Sequence, residues 1–391
     1  MIFFRNVNSD SAACIILGCC LSYLCSHAQA TEFIPLGDLP GGGFGSTAIS
    51  VDGLGQKVVG SSATDTSDNA FLWTEVSGIQ SIAPSGSALA ISEDGVVVVG
   101  MATNAGTGIQ EPFMWDSANG LSLLGFPGPA SPSPAAALDV SGNGEVVVGF
   151  TVFNGVQKAF SWTVGAGFVD LEPLTTETST ATSISRDGSV IAGQLGNRAF
   201  RWTATDGMAY LGDLPGGSDS SEASGMSADG AIVVGSFDSS NGSEAFRWSN
   251  ETGMVGLGFL STDSTSSFAA ATTESGEAIV GQNSVGNTGE AFLWTPAHGI
   301  EPLQHVLETR FSLSNELSGW ELISALDISA DGRFIVGRGI NTDGNREAWL
   351  VRLDQPIFVP EPRGGLMGLL VIGGYALLQF RQRGVPAIGC R

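Results

Sequence analysis

Cysteine is missing from the whole stretch between Cys25 and Cys390; the five in the chain sit at its two ends. No disulfide and no thiolate metal site can therefore stabilise the body, which must hold together by packing and hydrogen bonds. Histidine is scarce as well. After His27 only His298 and His305 remain, a pair that falls short of the three or four ligands a metal site needs. Basic residues are few: 16 Lys+Arg stand against 39 Asp+Glu, a formal net charge of −23. That balance excludes an unaided nucleic-acid binder, whose surface must neutralise phosphates, and argues against docking on an anionic membrane face. Charged residues make up only 14% of the chain while hydrophobics reach 42%, so a sizeable core, not disorder, is expected.

Glycine is what the chain has in plenty, 55 of 391 residues, and its placement is periodic. Glycines closing a Val-rich run fall at Gly60, Gly100, Gly149, Gly193, Gly235, Gly281 and Gly337. Twelve residues before each stands an alanine, from Ala48 to Ala325, and five before each stands another glycine, from Gly55 to Gly332. Six copies then carry Phe-x-Trp, as in Phe71/Trp73 and Phe292/Trp294, and the seventh has Trp349/Val351 in the same places. Spacings of this size belong to repeat architectures built from small sheets.

One copy can be read strand by strand. Ser87–Ser92 is a short strand, and Glu93-Asp94-Gly95 is a hairpin turn, where Asp-Gly tolerates positive φ. Val96–Val99 is a β-branched run suited to a strand covered on both faces. A polar loop leads to the aromatic strand around Phe113–Trp115, and Gly120 opens the last strand, Leu121–Leu124. Four such antiparallel strands cannot bury both faces alone, but copies packed around an axis can.

The ends of the array suggest how it closes. Phe33–Leu39 reads as the fourth strand of a unit lacking its first three and nearly duplicates Tyr210–Leu214. The seventh copy has three strands and stops at Leu353-Asp354. The expected fold is all-β: a seven-bladed β-propeller over residues 31–354 with four-stranded blades, closed by the N-terminal strand, which leaves no exposed edge. A linear solenoid is the alternative, but it would need terminal caps.

Residues 1–30 read as a secretory signal: Arg5 supplies the positive start, Ala12–Leu24 is apolar, and Ala28-Gln29-Ala30 is a small-x-small cleavage site. At the other end, residues 355–391 combine a linker, the stiff Pro360-Glu361-Pro362, an apolar stretch at 364–380 long enough for a transmembrane helix, and a basic cluster at Arg381 and Arg383.

That C-terminal order resembles the PEP-CTERM sorting signal of exosortase-bearing bacteria, with extra residues Gly384–Arg391 after the basic cluster. The resemblance implies transient anchoring in the inner membrane through the C-terminal helix, processing by an exosortase-type enzyme, and a cell-surface or extracellular destination. The repeats resemble the HAF repeat of bacterial extracellular proteins, as in Asn69-Ala70-Phe71-Leu72-Trp73 and Ile184-Ser185-Arg186-Asp187-Gly188. The eponymous histidine is replaced in every copy, by Asn69, Glu111, Lys158, Arg198, Glu244, Glu290 and Glu347.

Signs of chemistry are sparse. No Gly-x-Ser-x-Gly elbow is present, and Tyr210 is the only tyrosine of the body, which argues against a sialidase-type propeller. Asp94, Asp187, Asp229 and Asp331 share one turn position and read as structural. The acidic Ser/Asp-rich stretches Ser61–Asn69, Ser218–Glu222 and Ser236–Glu244 read as solvated loops, with Ca²⁺ as the ligand that hard oxygens would invite. The repeated tryptophans read as core; Trp320, outside the frame, is the aromatic left for surface recognition. No catalytic, cofactor or metal residue is expected. The reading is a non-enzymatic, exported scaffold or interaction protein with extracellular polysaccharide or surface proteins as partners, no nucleic acid, and a carbohydrate-binding or carbohydrate-active propeller as the alternative.

Overall fold

The computed structural model describes residues 30–358 apart from 128–133, 173, 215 and 287. Ala28, Pro360, Glu361, Pro362, the apolar stretch 364–380, Arg381 and Arg383 lie outside the described residues. Ala30 is described and exposed. Among the described residues no helix is long and apolar enough to cross a membrane.

Strand β1 (Glu32–Gly37) comes first. The first copy follows as β2 (Ser46–Val51), β3 (Lys57–Ala63), β4 (Asp68–Thr74) and β5 (Gly78–Ala83). The second is β6 (Gly86–Ile91), β7 (Val98–Thr103), β8 (Gln110–Asp116) and β9 (Gly120–Leu123). The third is β10 (Ala136–Val140), β11 (Val147–Phe153), β12 (Val156–Thr163) and β13 (Gly167–Asp170). The fourth is β14 (Ser179–Ile184), β15 (Val190–Leu195), β16 (Arg198–Thr203) and β17 (Gly207–Tyr210). The fifth is β18 (Ser221–Met226), β19 (Ile232–Ser239), β20 (Gly242–Ser249) and β21 (Gly253–Gly258). The sixth is β22 (Ser266–Thr272), β23 (Ile279–Val285), β24 (Thr288–Thr295) and β25 (Gly299–Pro302). The last has three strands only: β26 (Glu321–Ile328), β27 (Phe334–Ile340) and β28 (Arg346–Arg352).

Each of the first six copies forms a four-stranded antiparallel sheet in sequence order, the fifth and sixth being joined by one parallel bridge between Ser243 and Ser266. The seventh sheet takes β1 as its outer strand: Glu32 pairs with Arg352, Ile34 with Leu350, and Pro35 with Trp349. The first strands touch in succession, β2 to β6 and on through β10, β14, β18, β22 and β26, which returns to β2. A linear stack has no such return contact.

The repeated residues each have a physical task. In the second copy the Ser92 hydroxyl donates to Asp94 at 2.6 Å and accepts from the Val97 N–H at 2.9 Å. Gly95 then turns the chain at φ +70°, where a side chain would be strained. The same serine-to-aspartate bond recurs at Ser185/Asp187, Ser227/Asp229 and Ser329/Asp331. A β-bulge follows the repeated alanine in all seven sheets, between Ala137 and Asp139 for example. The glycine closing the Val run lies opposite it. A Cβ on Gly193 would sit 1.9 Å from the Thr180 carbonyl oxygen, and the equivalent gap is 1.9–2.1 Å in every copy. The position is glycine because there is no room for anything else.

The sheets pack through Phe71, Phe113, Phe160, Phe200, Phe246, Phe292 and Trp349, all fully buried. A polar latch accompanies this packing. The hydroxyl of a serine on the first strand accepts the N–H of the alanine before the aromatic residue of the preceding sheet: Ser46 from Ala348, Ser179 from Ala159, Ser221 from Ala199, and Ser267 from Ala245, at 2.9–3.0 Å. At the seam, Phe33 meets Trp320 edge-on with centroids 4.9 Å apart, and the buried Arg352 bonds Glu32 and Glu75.

Three expectations are corrected, and one element is added. Trp320 is not a surface aromatic: it is buried at 7% exposure against Phe33. Val96 belongs to the turn and is 52% exposed, so the strand begins at Val98. Ser61–Asn69 and Ser236–Glu244 are largely hairpin strand, with Ser62 paired to Asn69 and Ser239 to Gly242; alternating serines suit a half-solvated sheet as well as a loop. A helix, Leu303–Arg310, precedes β26 and buries Leu303, Val306 and Leu307. Its i, i+3, i+4 spacing was visible in the sequence.

Candidate functional site in the axial cavity

The bulges determine what faces the axis. By adding one residue to each first strand they re-aim its side chains, and a cavity of about 360 Å³ is lined from all seven of these strands. Residues just after the repeated alanine contribute a mostly apolar band: Ile49, Leu89, Leu138 and Leu326, with Thr182, Ser224 and Ala270. The next position is Ser50, Ala90, Asp139, Ser183, Gly225, Ala271 and Asp327 in chain order. Only the third and seventh copies place a charge there.

Both aspartates are held by the neighbouring sheet. Asp139 accepts the Ile184 N–H at 2.8 Å and its own neighbour Val140 N–H at 2.8 Å. Asp327 accepts the Val51 N–H and the Ser50 hydroxyl, each at 3.0 Å, and the Ile328 N–H at 2.8 Å. No ion pair with Lys, Arg or His is formed by either among the described residues. Loss of hydration on burial pushes Asp139 up to about 7, the Asp327 charge adding to the rise, and burial pushes Asp327 up to about 6. Both side chains stay partly accessible from the lumen.

One end of the cavity is framed by the hairpin turns, tied to one another by backbone bonds: Gly142 N–H to the Arg186 carbonyl at 2.9 Å, Arg186 N–H to the Ala228 carbonyl at 2.8 Å, and Glu274 N–H to the Ala330 carbonyl at 3.0 Å. Here the Arg186 guanidinium of the fourth copy makes two bonds to Glu93 of the second, and its Nη2 lies 3.6 Å from Glu274 of the sixth. These three exposed side chains span the mouth.

Residues singled out in the sequence fall elsewhere. Asp94, Asp187, Asp229 and Asp331 serve their turns; hydrogen bonds from the Ser189 N–H and the Ser185 hydroxyl hold the Asp187 carboxyl below the usual range. His298 and His305 are exposed, and His298 Nδ1 lies 3.4 Å from the Thr295 hydroxyl. No group of three or more His, Cys, Asp or Glu among the described residues could hold a metal. Before the buried aromatic residue, four of the seven copies use a side chain to tie the aromatic strand to the end of the fourth strand or the segment after it: Asn69 accepts the Ser85 N–H, Lys158 donates to the Thr175 and Glu177 carbonyls, Glu244 accepts the Gly258 N–H, and Glu347 the Gly37 N–H. Tyr210 carries the Arg198 guanidinium over its ring at 4.0 Å.

No family model matches the chain and no curated protein matches it. Solved structures do. The β-propeller domain of the trilobed protease from Pyrococcus furiosus aligns with a TM-score of 0.51 at 10% identity, over 79% of this chain and 94% of that one. The chain is a β-propeller. Oligogalacturonate lyase in complex with manganese aligns at a TM-score of 0.48 and 11% identity, over 83% and 97% of the two chains. TolB from Acinetobacter baumannii gives 0.41 and 16%; the alignment covers 53% of this propeller, which spans about half (52%) of the TolB chain. The Pyrococcus domain is described as having an open velcro topology, whereas here β1 is hydrogen-bonded to β28 in the last sheet.

Asp139, Asp327 and Arg186 were not singled out from the sequence. For the two aspartates the available signal was departure from the frame: a charge appears at a position where the other copies carry Ser, Ala or Gly.

Proposed function

We propose that this chain is a seven-bladed propeller, exported and displayed at or released from a bacterial cell surface as a non-enzymatic scaffold or interaction protein. In this reading residues 1–30 are the signal, cut after Ala30, and residues 355–391 carry an exosortase-type sorting signal around Pro360, Glu361, Pro362, Arg381 and Arg383, with 364–380 as the transient anchor. The partners are extracellular polysaccharide or surface proteins.

The observation that carries it is the use made of the reactive residue types. The repeated carboxylates are committed to turns, the phenylalanines of Phe-x-Trp to the core between sheets with their tryptophans packed against it, and four of the seven positions before the aromatic pair to local ties. A surface organised for rigidity suits presentation better than turnover. Phe33 and Trp320 lock the N-terminal strand into the last sheet, which suits a body exposed outside the cell without disulfides.

Removing residues 359–391 tests the reading. The truncated chain is expected to lose surface retention or maturation, and unchanged localisation would refute the sorting role. A glycan array on the intact chain separates the carbohydrate alternative: saturable binding of one sugar would replace the scaffold reading.

A further inference from the structure

We propose that the axial cavity is a binding site for a small linear organic diamine, whose two ammonium ends are taken by Asp139 and Asp327. The inference stands apart from the display role and rests on the cavity alone.

Space comes first. A volume of about 360 Å³ lies within the range of small-ligand pockets, and its walls come from all seven sheets, so the open-mouthed cavity is formed by the fold itself. Charge comes second. A carboxylate withdrawn from water needs a cation or it is driven toward its neutral form. Asp139 and Asp327 both show the second outcome; they stand on the third and seventh copies and line the same cavity, and the Asp327 charge adds to the rise at Asp139. The frame does not require them. Five copies close the same bulge with Ser, Ala or Gly, and three of those five use a residue with no polar side chain at all. Two half-buried acids at a position that the other five copies fill without charge, lining one lumen, make a functional site the economical explanation.

The wall selects the kind of cation. A hard metal ion would need six or more oxygen ligands in a shell, but the band beside the aspartates is Ile49, Leu89, Leu138 and Leu326. Aliphatic walls between two carboxylates match a methylene chain between two ammonium groups. Nearby hydroxyls are already engaged: Thr182 donates to the Ala223 carbonyl and Ser50 to Asp327, so a polyhydroxylated ligand would find few free partners. The cation at the mouth, Arg186, is bonded to Glu93 and faces Glu274, and that set leaves no net positive charge to repel an incoming amine.

The test is calorimetric titration of the full chain with 1,4-diaminobutane, with n-butylamine and calcium chloride in parallel. One saturable site is expected for the diamine, with at least tenfold weaker binding of the monoamine and no competition from calcium. D139N and D327N each keep an oxygen that can accept the Ile184 or Val51 N–H, and each is expected to weaken the diamine at least tenfold. A measurement on the unaltered chain guards against misfolded variants: titrations near pH 6.5 in phosphate and in Tris should report proton release on binding, because the amine favours ionised carboxyls. Among the described residues Glu93 and Arg186 are the other charged groups lining the cavity, with Glu274 beside Arg186 at its mouth. No saturable heat, equal affinity in D139N and D327N, absence of proton release, or displacement of the diamine by calcium would each overturn the proposal.

Discussion

The contacts between neighbouring sheets and the wall around the axis are built from the same seven sheets, yet they obey different rules. Between sheets, one solution is repeated: a buried aromatic ring, a glycine pressed against a carbonyl, and in four places a serine latch. Around the axis the equivalent positions vary from copy to copy, and two of them carry a half-buried carboxylate whose loss of hydration disfavours its charge. Repetition marks what the fold requires. Departure from repetition, at a cost in stability, marks where a repeat protein has room to specialise.

Substitutions should separate the two regions by sign as well as size. The largest effect is expected from Gly193→Val, which drives a side chain into the Thr180 carbonyl; a loss above about 4 kcal/mol, or failure to fold, should appear in denaturant unfolding. Phe33→Ala empties the seam beside Trp320 and should cost about 3 to 5 kcal/mol in the same measurement. The axial wall should respond in the opposite direction. Folding raises the Asp139 carboxyl from 3.8 to about 7, so the folded chain binds a proton that the unfolded chain has released. Its stability contribution therefore falls as pH rises from about 4 to about 7 and stays low above that. Asp139→Asn should then melt higher than the parent at pH 8 and at the same temperature at pH 4, the gain at pH 8 having a ceiling of about 4 kcal/mol. A loss of stability at pH 8 would mean that the wall is as structural as the seams. Ser221→Ala strands the Ala199 N–H and should cost about 1 to 3 kcal/mol. Smallest of all, Arg186→Ala removes an exposed ion pair and should change stability by less than about 1 kcal/mol.

What could be read from the sequence follows the same division. The frame of alanine, two glycines and Phe-x-Trp announced the strands, the turn and the buried ring, because packing against an identical neighbour imposes identical residues on every copy. Phe33–Leu39 could be matched to the missing fourth strand for the same reason. The helix Leu303–Arg310 escaped because it occurs once, between β25 and β26, where no second copy exposes it. Trp320 looked like a surface residue because its partner, Phe33, lies almost three hundred positions away. Asp139 and Asp327 were passed over among many acids. Their meaning depends on the bulge, which turns them into the lumen and cannot be seen in one copy alone.

The ring's closure is tested most directly by a cross-link between its first and last strands. Ile34 and Leu350 are register partners in β1 and β28, and neighbours in an antiparallel pair lie within the Cα separation a disulfide tolerates. With no native cysteine between Cys25 and Cys390, the doubly substituted chain I34C/L350C should, on mild oxidation of folded protein, give a disulfide-linked peptide pair by mass spectrometry and a raised melting temperature. A folded chain whose two introduced thiols stay free under the same oxidation would contradict the closed ring.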